Sequence, residues 1–225
     1  MLKKEIRAIL DRSRSQGWVM EPDAKRILSL SGIAVPRFKL ARQMETALEF
    51  AAQLGYPVVA KIVSPAVMHK SEVQGVKVGI KDARELKSTY KQFSRHKKFV
   101  GMLVEEMVSG LEMIVGGKID AQFGPVVLLG IGGTGVEIYK DTVLRMAPVK
   151  ANDVLSMVNC LTAGCLLQGF RGRRAIDMQA LTGLVIAFSD LLIKLADQID
   201  SVDLNPVLCT DQACLAADAR IVFDT

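Results

Sequence analysis

An α+β protein of two lobes is what this sequence predicts, on three observations. Half of its 225 residues are hydrophobic, enough to build a proper core. Helical and strand-like segments are mixed without the strict strand–helix rhythm of a doubly wound sheet. Near Val100–Leu103 the texture changes, and a helix-rich part gives way to strands in quick succession.

The elements follow in order. Lys3 to Arg14 reads as a charged amphipathic helix. Glu21-Pro22-Asp23 opens a second helix, with proline in its first turn, and Gly32 closes it. A short strand, Arg37 to Ala41, precedes a helix from Glu45 to Leu54 that ends at Gly55. Apolar strands are expected at Val58–Val63 and Val76–Ile80. Asp82 then caps a helix carrying Leu86, Tyr90 and Phe93 on one face. "MLVEEMV", "LEMIVGGKI", "PVVLLGIGG" and "VLRMAPV" read as successive strands. Helices are expected at Asp153–Cys160 and Met178–Ala196, and "SVDLNPVLC" with "ACLAADARIVF" forms a terminal strand pair.

Composition narrows the function. The net charge of +5 is modest, and Lys97-Lys98 and Arg171, Arg173, Arg174 have no interleaved aromatics, which argues against a nucleic-acid binder. The spacing of Cys160, Cys165, Cys209 and Cys214 does not fit a zinc knuckle; reduced thiols in a cytoplasmic protein are expected. The N-terminal stretch lacks the apolar core of a signal peptide, and "FGPVVLLGIGGTGV" is too short to span a bilayer, so no membrane role is expected.

Chemistry concentrates in "PVVAKIVSPAVMHKSEVQGVKVGI". Lys61 interrupts an apolar strand, where it either faces water from an edge or points into a cleft towards an anion such as phosphate. The loop after it combines Ser64, His69, Lys70, Ser71 and Gly75. Backbone N–H groups and hydroxyls of such a loop can close over phosphates, and an imidazole can accept a phosphoryl group. His96, at a helix end, only complements the helix dipole. Gly130, Gly132 and Gly135 match a dinucleotide-loop spacing, but "VEIYKDTVLRM" does not continue as a crossover helix, so that signal is weak. Asp203 and Asn205 share a strand face, and with Asp218 they offer oxygen ligands suited to Mg²⁺; a plain turn is the other reading of Asn-Pro and Asp.

Taken together, "SPAVMHKS", "FGPVVLLGIGG", "LLQGFRGRRAID" and "DLNP" resemble the β (ATP-grasp) subunit of ADP-forming acyl-CoA synthetases, also called acetate–CoA ligases, and more distantly the β subunit of succinyl-CoA synthetase. The resemblance runs nearly end to end from Glu21. It implies an ATP-grasp fold whose two α+β lobes enclose the nucleotide: residues 21–103 as the smaller lobe and 104–225 as the larger, with helix 1–20 packed on the latter. It assigns Lys61 to the α- and β-phosphates of ATP or ADP, and Val104, Glu105, Glu106, Met107 and Val108 to adenine and ribose. Glu112 would shape the nucleotide site. Asn205 and Asp218 would be Mg²⁺ ligands, with Asp203 supporting them. His69 would be a phosphoryl carrier, and Arg145 would join Lys61 and Mg²⁺ in neutralising charge. A CoA-binding α subunit, in an α2β2 assembly, is the implied partner. Relatives often read Gly-Gly-Val where this chain has Gln74-Gly75-Val76. Two other readings stay open: a regulatory ligand-binding domain of a fused synthetase-like or protein-acetyltransferase protein, and an ATP-grasp ligase joining a carboxylate to an amine.

Overall fold

The computed structural model describes residues 2–133, 141–172 and 174–224. In chain order its elements are α1 (Lys4–Ser13), β1 (Trp18–Val19), α2 (Glu21–Leu30), β2 (Phe38–Ala41), α3 (Met44–Leu54), β3 (Val58–Val63), β4 (Val76–Ile80), α4 (Ala83–Phe93) and β5 (Gly101–Glu106). There follow β6 (Leu111–Asp120), β7 (Gly124–Ile131), β8 (Thr142–Met146), α5 (Ala151–Cys160), α6 (Met178–Leu195), β9 (Ile199–Cys209), β10 (Cys214–Ala216) and β11 (Arg220–Phe223).

These elements form two compact units, Pro36–Val108 and Met1–Val35 with Ser109–Thr225. The division departs from the expected boundaries, which placed residues 21–35 in the smaller lobe and 104–108 in the larger. α2 belongs to the larger unit because Ala24, Ile27 and Leu28 bury in that unit's core, and β5 belongs to the smaller because it pairs with β2 and β3.

In the smaller unit four antiparallel strands lie in the order β2-β5-β3-β4. Alternation sends Val58, Ala60 and Ile62 to one face, where they pack with Ala47 and Ala51 of α3 and Leu86 and Phe93 of α4. Val59 and Lys61 point to the opposite face, with Leu103 and Glu105 of β5 as cross-strand neighbours. Asp82 caps α4 by accepting from the Glu85 N–H at 2.8 Å, as its position predicts.

In the larger unit β1-β11-β9-β6-β7-β8 make one sheet, and β10 pairs with β9. α6 covers one face of it: Leu184, Val185, Phe188, Leu191 and Leu192 are buried in the same cluster as Met113, Val115, Val127 and Leu129. Each such burial contributes about 1.5–3 kcal/mol. α6 is also the one described helix long and apolar enough to cross a membrane, and its place here is inside the core. Gly117 lets the sheet approach it, since a Cβ there would lie 2.7 Å from a Leu192 methyl. The expected terminal strand pair is in fact three strands. "ACLAADARIVF" breaks at Ala217-Asp218-Ala219, and the Ala217 N–H donates to the Pro206 carbonyl at 2.9 Å. That break sets Asp218 alongside Asn205-Pro206.

Candidate functional site

Lys61 does not sit at an edge. β3 lies between β5 and β4, and the lysine is only 5% exposed. Its ammonium stands 3.2 Å from the carboxylate of Glu105, itself 2% exposed. The pair is diagonal across β3 and β5, because Val59 is opposite Glu105 and Lys61 opposite Leu103. A buried ammonium alone would cost several kcal/mol, and Glu105 is a partner that offsets that cost. The lysine thus lies on the face opposite the helices, with a charge that an anionic ligand can share.

β3 leads directly into the histidine loop. Ser64 ties the start of that loop to the segment after α4, donating to the Lys97 carbonyl at 2.9 Å and accepting from the Ala66 N–H at 3.1 Å. His69 and Met68 are exposed. A short 3₁₀ turn, Ser71–Val73, follows and ends at Gln74 with φ 51°, a left-handed position that favours glycine. Next to it Gly75 is sterically required: a Cβ would fall 2.4 Å from the Ile62 side chain.

The hinge carboxylates depart from the role the resemblance implies. Glu105 faces Lys61, and Glu106 accepts from both the N–H of Arg37 at 2.7 Å and its guanidinium at 2.6 Å. Both therefore already serve ion pairs within the smaller unit. The backbone of Val104 to Glu106 is likewise engaged, because β5 is paired on both sides and the Glu106 N–H donates to the Arg37 carbonyl at 3.0 Å; Met107, with an exposed side chain, and Val108 lie beyond the end of the strand. Neither partnership was legible in the sequence, because each joins strands far apart along the chain. Glu112 lies in the larger unit at the start of β6, where its carbonyl accepts from the Gly132 N–H; Gly135 of the glycine-rich stretch lies outside the described residues.

The larger unit gathers Asp203, Asp218 and Arg220. Arg220 is opposite Asp203 in the β11–β9 register, and their charged groups stand 3.8 Å apart. Burial pushes the Asp203 carboxyl above the ordinary carboxylate range; Arg220 opposes this and Asp218 adds to it. Asn205, two residues further along β9, shares the face of Asp203. Among the described residues no three His, Cys, Asp or Glu side chains cluster tightly enough to hold a metal by themselves. The set here is two carboxylates and an amide, which suits Mg²⁺ because that ion keeps waters and takes phosphate oxygens beside one or two carboxylates. The mutual repulsion of Asp203 and Asp218 is what such a cation would relieve.

One cross-strand row on this face runs Arg220, Asp203, Gly116, Leu128, Leu144. Its outer part is apolar: Leu144 and Met146 are 57% and 61% exposed, beside a depression of about 720 Å³ that also includes Val126 and Lys118. Arg145 is not on that face. Opposite the buried Val127, it turns towards α5 and donates to the Ser156 hydroxyl at 3.2 Å. Arg145, expected to join Lys61 and Mg²⁺ in neutralising charge, is thus directed away from the face that carries Asp203.

Comparison with known proteins decides the family. The ATP-grasp domain family matches residues 11–223. The acetate–CoA ligase (ADP-forming) I subunit beta of Pyrococcus furiosus is 40% identical over 97% of this chain and 98% of that one. This chain belongs to the ATP-grasp family of ADP-forming acetate–CoA ligase β subunits. The acetyl-coenzyme A synthetase 1 of Ca. Korarchaeum cryptofilum, solved with coenzyme A and Ca-AMPCP, superposes with a TM-score of 0.91 at 36% identity, over 97% of this chain and 99% of that one. A second structure of that enzyme, with Mg-AMPPCP and a phosphohistidine segment pointing towards the nucleotide binding site, gives 0.86 at 34%, over 97% and 100%. In some relatives the ATP-grasp part lies within a longer chain: the 4-hydroxybutyrate–CoA ligase of Nitrosopumilus maritimus is 34% identical over 90% of this chain but only 30% of its own length.

Proposed function

We propose that this β subunit moves a phosphoryl group between His69 and a nucleoside diphosphate, as its share of the reaction acyl-CoA + ADP + phosphate = acid + ATP + CoA. The observation that carries the proposal is the end-to-end match to separately encoded β subunits, joined to a buried, ion-paired Lys61 one loop away from an exposed His69. Written towards ADP, the bond between the imidazole nitrogen and phosphorus breaks as a terminal oxygen of ADP bonds to phosphorus, and neutral His69 is regenerated. Lys61, ion-paired with Glu105, offsets negative charge on the diphosphate. Asn205 and Asp218, with Asp203 beside them, would hold Mg²⁺, which would supply positive charge to offset that of the phosphates. Of the stretch Val104 to Val108, the backbone groups beyond the end of β5, at Met107 and Val108, would take the base. A CoA-binding α subunit would complete the reaction and select the acid, and the cytoplasm is the compartment that suits a nucleotide-dependent dithiol-bearing protein.

The alternative of a regulatory ligand-binding domain within a longer chain predicts nucleotide binding without transfer. Isotope exchange separates the two. The purified chain with Mg²⁺, ATP and labelled ADP should convert label into ATP, and His69→Ala should abolish the exchange while retaining nucleotide affinity. Tight nucleotide binding with no exchange, alone and with an α subunit added, would overturn the transfer role.

A further inference from the structure

Cys209 and Cys214 face each other across the hairpin of β9 and β10 and are both buried, at 1% and 3% exposure. The hydrogen-bond pattern fixes what kind of pair they make. The Thr210 N–H donates to the Ala213 carbonyl at 2.8 Å, so Thr210 and Ala213 are a hydrogen-bonded pair. Three residues beyond Ala213, and two beyond Cys214, the Ala216 N–H turns away from β9 to the Ala34 carbonyl, as it must at a position not bonded to β9. Alternation along an antiparallel ladder then makes Cys209–Cys214 a non-hydrogen-bonded pair, with Cα atoms about 4.5 Å apart and side chains at their closest. That separation is within the range a disulfide spans, about 4.4–6.8 Å.

We infer that Cys209 and Cys214 are a built-in dithiol that oxidises to a cross-strand disulfide. The Cys214 thiol lies within 3.9 Å of the Asp177 carbonyl, and its closeness to Cys209, together with burial, pushes Cys209 ionisation up. The oxidant is a small disulfide, R–S–S–R. A thiolate of the pair attacks one of its sulfurs and releases R–SH; the second cysteine then displaces the other R–S group. Overall, two cysteine S–H bonds are lost, one S–S bond forms, and two R–SH molecules leave. Access is through the edge: β10 is three residues long and pairs only with β9, and Cys209 contributes to the wall of a pocket of about 440 Å³ shared with Ser109, Gly110 and Thr210. Cys160 and Cys165 are exposed and lie in α5 and the turn beyond it, outside this hairpin.

The bond would bear on the strand that follows the hinge. Cys209 is opposite Leu111, and Gly110 packs so closely on the Cys209 backbone that a Cβ would fall 2.5 Å from its carbonyl oxygen. Oxidation therefore pins the end of β9 against which the chain enters β6. This does not depend on the phosphoryl-transfer reading.

The test uses the full chain carrying Cys160→Ser and Cys165→Ser, so that only the buried pair remains. After incubation with excess oxidised glutathione, the intact mass should fall by two hydrogens, alkylation under denaturing conditions should find no thiol, and a peptide linking Cys209 to Cys214 should appear. The melting temperature should rise by about 5 °C, the scale expected for closing a short loop in a chain of this size, and dithiothreitol should reverse it. The same peptide linking Cys209 to Cys214 should appear in the four-cysteine chain, whose exposed Cys160 and Cys165 react separately, which guards against a misfolded variant. Two thiols still alkylatable after oxidant treatment in mild urea, or stable glutathione adducts in place of the cross-link, would overturn the inference.

Discussion

Replacing Glu105 by glutamine should destabilise the protein far more than a surface charge change would, and removing both members of its pair should not. The Lys61–Glu105 pair is buried at both ends, with side-chain exposures of 7% and 3% and a 3.2 Å separation. Breaking a buried pair from one side costs about 3–5 kcal/mol because it strands a charge, whereas replacing the pair by apolar groups of similar volume is often neutral. Against a total stability of about 5–15 kcal/mol, the single change is severe. Urea unfolding followed by far-UV circular dichroism should therefore show Glu105→Gln and Lys61→Met each losing about 3 kcal/mol or more. Lys61→Met/Glu105→Leu should return to within about 1 kcal/mol of wild type while losing its affinity for ATP. Glu105→Gln within about 0.5 kcal/mol of wild type, or a double variant losing the sum of the two singles, would refute the claim that Glu105 offsets the cost of burying Lys61.

Asp203→Asn should weaken Mg²⁺–nucleotide binding at least about tenfold, by titration calorimetry, without lowering the melting temperature of the metal-free chain, since it removes repulsion with Asp218. The sign with pH follows from the raised Asp203 pKa. The folded state binds the extra proton, so this group's contribution to stability is present below its unfolded pKa and lost as pH rises through the folded one. Proton competition should correspondingly weaken Mg²⁺ binding as pH falls, from a midpoint above the ordinary carboxylate value, and Asp203→Asn should flatten that profile. Gln74→Gly relieves a left-handed backbone at φ 51° and should leave stability unchanged or raise it by up to about 1 kcal/mol, whereas Gln74→Val should lower it. Gly117→Val drives a side chain into Leu192 and Phe188 and should cost about 1–3 kcal/mol in chemical denaturation.

Local chemistry was well legible in the sequence. Val58–Val63 and Val76–Ile80 form strands at the predicted bounds, and Asp82 caps α4 where a capping aspartate was expected, because alternation and caps are properties of neighbouring residues. What depends on distant partners was not. The period-two pattern put Lys61 on a strand but could not say that β5 would lie beside it and supply Glu105. The same limit hid Arg37 from Glu106, moved α2 into the larger unit and split the last strand at Ala217-Asp218-Ala219, where the pull of Pro206 on the Ala217 N–H outweighs a continuous apolar pattern. Arg145 was expected at the site on the family resemblance alone. Parity along β8 places it with Val127 on the helix side, and that parity needed the β7–β8 register to be known.

The central claim is that His69 carries a phosphoryl group, and direct labelling tests it most plainly. The chain is incubated with Mg²⁺ and γ-labelled ATP, alone and with a CoA-binding α subunit, beside His69→Ala and Lys61→Ala. Acid-labile, base-stable label on the wild-type β chain, mapped to His69, absent from His69→Ala and strongly reduced in Lys61→Ala, is the predicted result. A β chain that stays unlabelled with the α subunit present, or label that persists in His69→Ala, would contradict it.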